Sequence, residues 1–445
     1  MKLLLLSLVT TALLANEAEM AAQIKALQEQ LNELQTTQEE TSNTLINEIA
    51  TLSDKIEIPD YEYKQVSGLG PAASKVYGSR EKLSIGGYGE MYYRRYSQFD
   101  NGDTTTNAQK TTAESNILRF IPYFGFKFND WIIMNTEVEW ENGGAKPSDT
   151  KGGYNYSIVE FTYIDFLLHK SFNLRVGHQL VPMGNINLNH EPTQFLTTDR
   201  PSVEKTIIPS TWHTNGIFAY GQIGNDLHYY AGLVTSPDAR YFEQGSFIKK
   251  GRLGGRQVTS DIALSGRLDY SGIEGLNIGA SFIYGDSGGN LEDTNAKKHT
   301  IALYDMHLNY RKNNWDIKAL YTSGSLSDNE FNYVELAEAK TVASEVSGAY
   351  LTVGYNIMPF INHESNNRLM LVGQFETLDM DAKGDAIYSI ASEADSQQWN
   401  EYTYGLSYFP DPNFVIKADF KVIDYSDKSL YEDESLYTMS LGYIF

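Results

Sequence analysis

The sequence predicts an all-β transmembrane barrel of about sixteen antiparallel strands, preceded by an N-terminal α-helical coiled coil. Three observations predict it. The first is the last segment, Glu434 to Phe445, which alternates by twos. Phe445, Tyr443, Leu441, Met439 and Tyr437 fall on one face, and Ile444, Gly442, Ser440 and Thr438 on the other. One face suits hydrocarbon and the other suits water. The second is a strict alternation of long and short connections between strand-like segments. The third is a leucine-rich leader in a chain with no later apolar run long enough to cross a bilayer as a helix.

Taken in order, residues 1–15 read as a secretory signal peptide, with Lys2 ahead of the run Leu3 to Leu14 and a cleavage site near Ala15. As a helical membrane anchor the run is too short, since a span needs about 20 residues. Residues 16–58 carry a heptad-like stripe of Met20, Ile24, Leu27, Leu31, Leu34, Leu45, Ile49, Leu52 and Ile56. Polar Gln38 and Thr41 sit in the seam, and two consecutive steps of four, from Thr41 to Leu45 to Ile49, make one stutter. A stripe this narrow is buried against other copies, so a periplasmic coiled coil is expected; a lone amphipathic helix is the alternative. Pro59 stops the helix, and residues 59–80, rich in Gly, Ser, Pro and Tyr, read as a linker to a barrel over 81–445.

From Leu83 the period is two. Sixteen strands are expected, at 83–97, 115–128, 131–141, 155–168, 173–181, 214–223, 227–235, 261–271, 276–285, 299–311, 315–326, 346–356, 367–379, 397–409, 414–425 and 434–445. Odd-to-even junctions are long. Even-to-odd junctions are mostly tight turns such as Asn129-Asp130 and Asn313-Asn314. That is the pattern of long external loops and short periplasmic turns.

With the phase set on Phe445, Ile262, Leu264, Leu268, Tyr270, Ile416 and Phe420 face lipid. The expected pore wall includes Glu90, Arg94, Arg119, Lys127, Glu137, Glu139, Arg175, Arg267, Asp269, Arg311, Lys417, Asp419 and Lys421. Charges fall on one phase because Lys or Arg facing lipid at the midplane costs about 2–4 kcal/mol. About sixteen strands enclose an aqueous lumen rather than a side-chain core. The longest junction, 182–213, is not low-complexity, and its Leu196, Ile207, Ile208 and Trp212 need burial. Folding inward would supply that burial and place His190, Glu191, Asp199, Arg200, Glu204 and Lys205 near a constriction; packing on the rim or at a subunit contact is the alternative.

The stretches Arg175-Val-Gly-His-Gln-Leu-Val-Pro-Met-Gly184, His190-Glu-Pro-Thr193, Ile208-Pro-Ser-Thr-Trp212 and Gly266-Arg-Leu-Asp-Tyr270 resemble Gram-negative outer-membrane porins related to the phosphate-selective porin O/P type. So do Gly285-Asp-Ser-Gly288 and the Phe445 ending. The resemblance implies a trimer of sixteen-stranded barrels in the outer membrane with the third long loop folded inward. It also implies contact with lipid and lipopolysaccharide, and a passive channel for small hydrophilic solutes or ions. Phosphate selectivity in that family goes with an arginine ladder and a lysine cluster. Here the inward bases are interleaved with acids and no arginine ladder is apparent; the acidic excess of the chain points to a weak cation preference, with anion or phosphate selectivity as the alternative.

The net charge of −22 argues against nucleic acid as a partner, and the absence of cysteine excludes disulfides and thiolate metal sites. No cofactor or metal motif stands out; Glu137, Glu139 and Glu141 on one strand face read as a vestibule wall rather than a cation site. His363 and Ser365 have the spacing of an outer-membrane lipid esterase, but on a turn expected to be periplasmic. The coil also resembles segments that tether the outer membrane to peptidoglycan.

Overall fold

In the computed structural model the described residues are 65–98, 113–143, 157–252, 254–257, 260–288, 298–331, 340–387, 397–426 and 434–445, with part of a helix between 22 and 44. The chain divides into two units, Met1–Glu62 and Tyr63–Phe445.

In the first unit, residues 28–38 are helical. Leu31 and Leu34, two of the expected seam residues, lie on this helix with their side chains exposed in the single chain. Ile24, Leu27, Leu45, Ile49, Leu52 and Ile56 lie outside the described residues, as does the leader 1–15.

The second unit is a closed antiparallel barrel. Its strands are β1 (Leu83–Gln98), β2 (Ala113–Lys127), β3 (Ile132–Glu141), β4 (Ser157–His169), β5 (Phe172–Leu180), β6 (His213–Ile223), β7 (Leu227–Thr235), β8 (Ile262–Ile273), β9 (Leu276–Gly285), β10 (Ile301–Lys312), β11 (Trp315–Leu326), β14 (Glu345–Asn356), β15 (Arg368–Asp379), β16 (Gln398–Asp411), β17 (Phe414–Tyr425) and β18 (Glu434–Ile444). The short ribbon β12 (Glu330–Phe331) and β13 (Lys340–Thr341) decorates the β11–β14 connection and is not part of the ring. Each barrel strand pairs with its neighbours in sequence. The ring closes where β1 meets β18, in a register running from Tyr88↔Ile444 to Gln98↔Glu434. Closure leaves no unpaired sheet edge, which is what lets strands cross a bilayer. Among the described residues no helix is long and apolar enough to cross a membrane, which says nothing of strands.

The two faces separate as their chemistry requires. Ile262, Leu264, Leu268, Tyr270, Ile416, Phe420, Tyr437 and Met439 point outward and are exposed. Their neighbours Asp269, Lys417, Asp419 and Thr438 point inward and are buried. Aromatics gather at the short-turn end of the outer face, where Phe128, Trp131, Trp315 and Phe360 are exposed, in the manner of an interfacial girdle.

The lumen is occupied. Residues 65–79, expected as part of a linker, lie inside the barrel. Leu69, Ala72, Ala73 and Val76 are buried, and the helix Lys75–Gly78 packs against β1, β2 and β3. The composition misled because small residues suit a close approach to a wall as well as a flexible tether. Gly125 on β2 is where that approach is made: a Cβ there would lie 2.4 Å from the Val76 side chain.

Candidate functional site

The site is the barrel interior, built by the inward residues of the strands together with loop 181–212 and segment 65–79. Alternation along each strand aims one side chain in two at the axis. The β5–β6 connection is long because it leaves the wall, crosses the interior and returns.

Nearly every residue of 181–212 is buried. Met183, Ile207, Ile208 and Trp212 join a cluster with Tyr88, Phe161 and Tyr350 of the wall. Leu196 packs with Met370, Val372, Phe409 and Val415. Inward glycines admit these contacts: a Cβ on Gly354 of β14 would fall 2.3 Å from Leu196.

The loop bonds to strands on every side. Arg94 of β1 pairs with Asp199 at 2.6 Å. On β17, Asp419 accepts from the Thr198 amide at 2.6 Å and its hydroxyl at 2.8 Å, while Lys417 donates to the Thr197 carbonyl at 2.9 Å. Glu376 of β15 accepts from the Val203 amide at 3.0 Å, and Glu401 of β16 from Ser202 at 2.8 Å. Arg267 of β8 donates to the Gly184 carbonyl, and Asp305 of β10 accepts from the Gly184 amide at 3.0 Å. Glu204 accepts from the Ile186 amide at 2.8 Å and from the Tyr350 hydroxyl of β14 at 2.6 Å. Burial pushes the Glu204 carboxyl up to about 6, against the pull of those donors.

His190 and Glu191 face the opposite side. Glu191 accepts from the Ala72 and Ala73 amides at 3.1 and 2.9 Å, so the loop holds the N-terminal segment directly. Burial raises the Glu191 carboxyl to about 7, with the two amides opposing. The segment is also fixed by Asn135, which donates to the Ala73 carbonyl at 2.8 Å, and by the Tyr230 hydroxyl, which donates to the Ser67 carbonyl at 2.6 Å. His190 lies beside Glu137 and Glu160. Of the remaining loop charges, Lys205 approaches Asp199 at 3.9 Å, and Arg200 is half-buried with its Nη1 lacking a hydrogen-bond partner.

On the wall, charges are largely paired. Arg119 bonds Glu90 at 2.9 Å, Arg175 bonds Asp165 at 2.8 Å, Arg267 bonds Asp269 at 2.6 Å, Arg311 bonds Asp316 at 2.7 Å and Lys421 bonds Glu401 at 2.7 Å. Glu139 is buried beside them, and Lys127 donates to the Ser79 carbonyl at 2.6 Å. Sequence reasoning passed over Asp165, Tyr77 and His307. Tyr77 donates to Asp165, and His307 bridges Asp305 and Asp269 at 2.6 and 2.9 Å. Asp165 and His307 had the inward phase as a signal; Tyr77 had none. A cavity of about 580 Å³ lies between segment 65–79, loop 181–212 and the β5–β11 side, reaching the short turns and lined by Gln65, Lys170, Tyr220, Arg267, Asp269 and Lys318 among others.

The esterase pair sits elsewhere. His363 is exposed on the β14–β15 turn, and the Ser365 hydroxyl accepts from the Asn367 amide at 3.1 Å.

No family model matches this chain. An uncharacterized protein of Aquifex aeolicus (strain VF5) is 34% identical over 400 residues, covering 86% of this chain and 84% of that protein. Among solved structures, the outer membrane channel DcaP of Acinetobacter baumannii overlays with a TM-score of 0.49 at 13% identity, covering 82% of this chain and 97% of that one. Salmonella typhi OmpF in complex with daunomycin overlays with a TM-score of 0.49 at 12% identity, covering 82% and 97%.

Proposed function

This chain belongs to the same family as the Aquifex aeolicus protein, and with that premise we propose that it is an outer-membrane porin for passive diffusion of small hydrophilic solutes or ions. The observation that carries the proposal is the closed barrel whose outer face is apolar and whose inner face holds the charges. Such a ring is stable only around a polar interior and within a bilayer. In this reading loop 182–213 is the constriction, carrying His190, Glu191, Asp199, Arg200, Glu204 and Lys205. Segment 65–79 narrows the short-turn mouth, and the conducting path runs along the β5–β11 side, where the cavity lies. Pairing of Arg119, Arg175, Arg267 and Lys421 with carboxylates leaves these bases without the free positive field that anion capture needs. The acidic excess behind the net charge of −22 supports a weak cation preference in this reading.

The heptad stripe of 16–58 would hold three copies together in the periplasm, and tethering to peptidoglycan would be a further role of the same segment. Planar-bilayer recording in a salt gradient tests the function: small, ohmic steps with a cation-selective reversal potential are expected. A folded, inserted protein that never conducts would refute the porin reading, and clear anion selectivity would refute its sign. Truncation of 182–213 should raise the step size; an unchanged value would remove the constriction role. Deleting 16–58 should loosen trimers on native gels and leave the step size unchanged.

A further inference from the structure

We propose that Glu137, Glu160 and His190 form a divalent-cation site that pins the inward loop to the barrel wall. Glu137 and Glu160 come from adjacent strands, β3 and β4, and His190 comes from the loop. Their side chains are 0%, 1% and 2% exposed. One ligand atom from each lies within 4.8 Å of the others.

Three features argue for a cation rather than a plain hydrogen-bond cluster. His190 Nδ1 is 3.0 Å from the Asn187 carbonyl, an acceptor, so Nδ1 carries a proton and donates. That contact orients the ring so that Nε2 meets the two carboxylates, the outer support typical of a metal-binding imidazole. Second, Nε2 lies 3.3 Å from Glu137 Oε1 and 3.6 Å from Glu160 Oε2. Both exceed the usual range of a direct N–H···O bond, about 2.7–3.2 Å. They suit the edges of a tetrahedron around zinc, which with bonds of about 2.0–2.1 Å are about 3.4 Å long. Third, Glu137 Oε2 and Glu160 Oε2 are buried, and no donor of another residue reaches them. The two carboxyl groups meet each other instead, and a buried pair of this kind must share either a proton or a cation. Buried carboxylate oxygens are normally satisfied or metal-bound. The other Glu160 oxygen accepts from the Thr211 hydroxyl, which fixes that carboxylate from the far end of the loop.

One imidazole nitrogen and two carboxylates suit a borderline divalent ion such as Zn²⁺, Co²⁺ or Mn²⁺ better than the all-oxygen coordination of Mg²⁺ or Ca²⁺. The ion would offset the two carboxylate charges and bridge wall to loop. No sequence motif announces the site because its ligands come from three separate elements. Metal binding here does not depend on whether the barrel conducts.

The test uses the full-length folded protein in detergent, stripped with a chelator and dialysed against micromolar Zn²⁺. Elemental analysis should find about one equivalent per chain. Glu160→Gln and His190→Gln, checked for folding by heat-modifiable gel mobility, should each fall below about 0.1 equivalent. Should a variant fail to fold, Co²⁺ titration of the unaltered protein decides: a visible four-coordinate d–d band is expected. Absence of Zn²⁺ uptake, full uptake by the folded variants, or no cobalt band would overturn the site. Protons would then be what hold the cluster together.

Discussion

Replacing Glu191 by alanine removes the acceptor of two buried amides, those of Ala72 and Ala73, bonded at 3.1 and 2.9 Å. Each orphaned buried N–H costs about 1–3 kcal/mol, so docking of segment 65–79 should weaken by about 2–6 kcal/mol. The lower figure corresponds to a change of about thirtyfold in the docked-to-undocked ratio. The chain has no cysteine, which makes the assay clean. A single reporter, Ala73→Cys, occupies a buried position and should react slowly with a water-soluble maleimide while docked. Adding Glu191→Ala should speed labelling by at least about thirtyfold if reaction proceeds through the undocked state. Gly70→Val provides an independent perturbation, because a Cβ at Gly70 would fall 2.3 Å from Glu191 Oε1 and displace the carboxylate. If both changes leave the labelling rate unaltered in a folded barrel, the carboxylate is not what holds the segment.

Three further outcomes are expected. Arg175→Ala strands Asp165 in a buried pair now bonded at 2.8 Å, and should cost about 3–5 kcal/mol in urea unfolding; a joint Arg175→Met, Asp165→Leu change should cost less. Equal losses would deny the pair its charge logic. The Glu204 carboxyl, raised by burial to about 6, contributes stability that is present below its unfolded value near 4.5 and is lost as pH rises through about 6. Glu204→Gln should remove about 2 kcal/mol of that pH-dependent loss from loop protection against proteolysis, and an unchanged pH slope would refute it. Leu264→Arg on the exposed face should weaken folding into vesicles by about 2–4 kcal/mol, and no effect would place that face away from lipid.

The wall was readable because a bilayer imposes a stringent rule on a strand. Leu264, Leu268 and Tyr270 cannot exchange phase with Ser265, Arg267 and Asp269 without putting charge in hydrocarbon, so the period of two survives in the sequence. Connection length was readable for the same reason, since the two ends of a barrel meet different surroundings. Partnerships across the lumen were not. That Glu191 would meet Ala72 and Ala73, or that Glu160 would meet Thr211, depends on how strands far apart in sequence are brought round the ring. Residues 65–79 have no strong periodicity, and their burial follows from the shape of the wall around Gly125 rather than from any pattern of their own.

The attachment points of loop 181–212 also constrain the order in which the molecule can be made. Asp199 and Thr198 need Arg94 of β1 and Asp419 of β17, which are among the first and last parts of the barrel to be synthesised. Before the seam between β1 and β18 has formed, the loop lacks the part of its cradle that Arg94 of β1 supplies. Contacts so distant along the chain form late and slowly. If the Arg94 contact is the last to form, the ring closes with the loop not yet fully seated. A newly inserted barrel should be leakier than a matured one, and the interval between insertion and quiet conductance would measure how long the loop takes to find its seat.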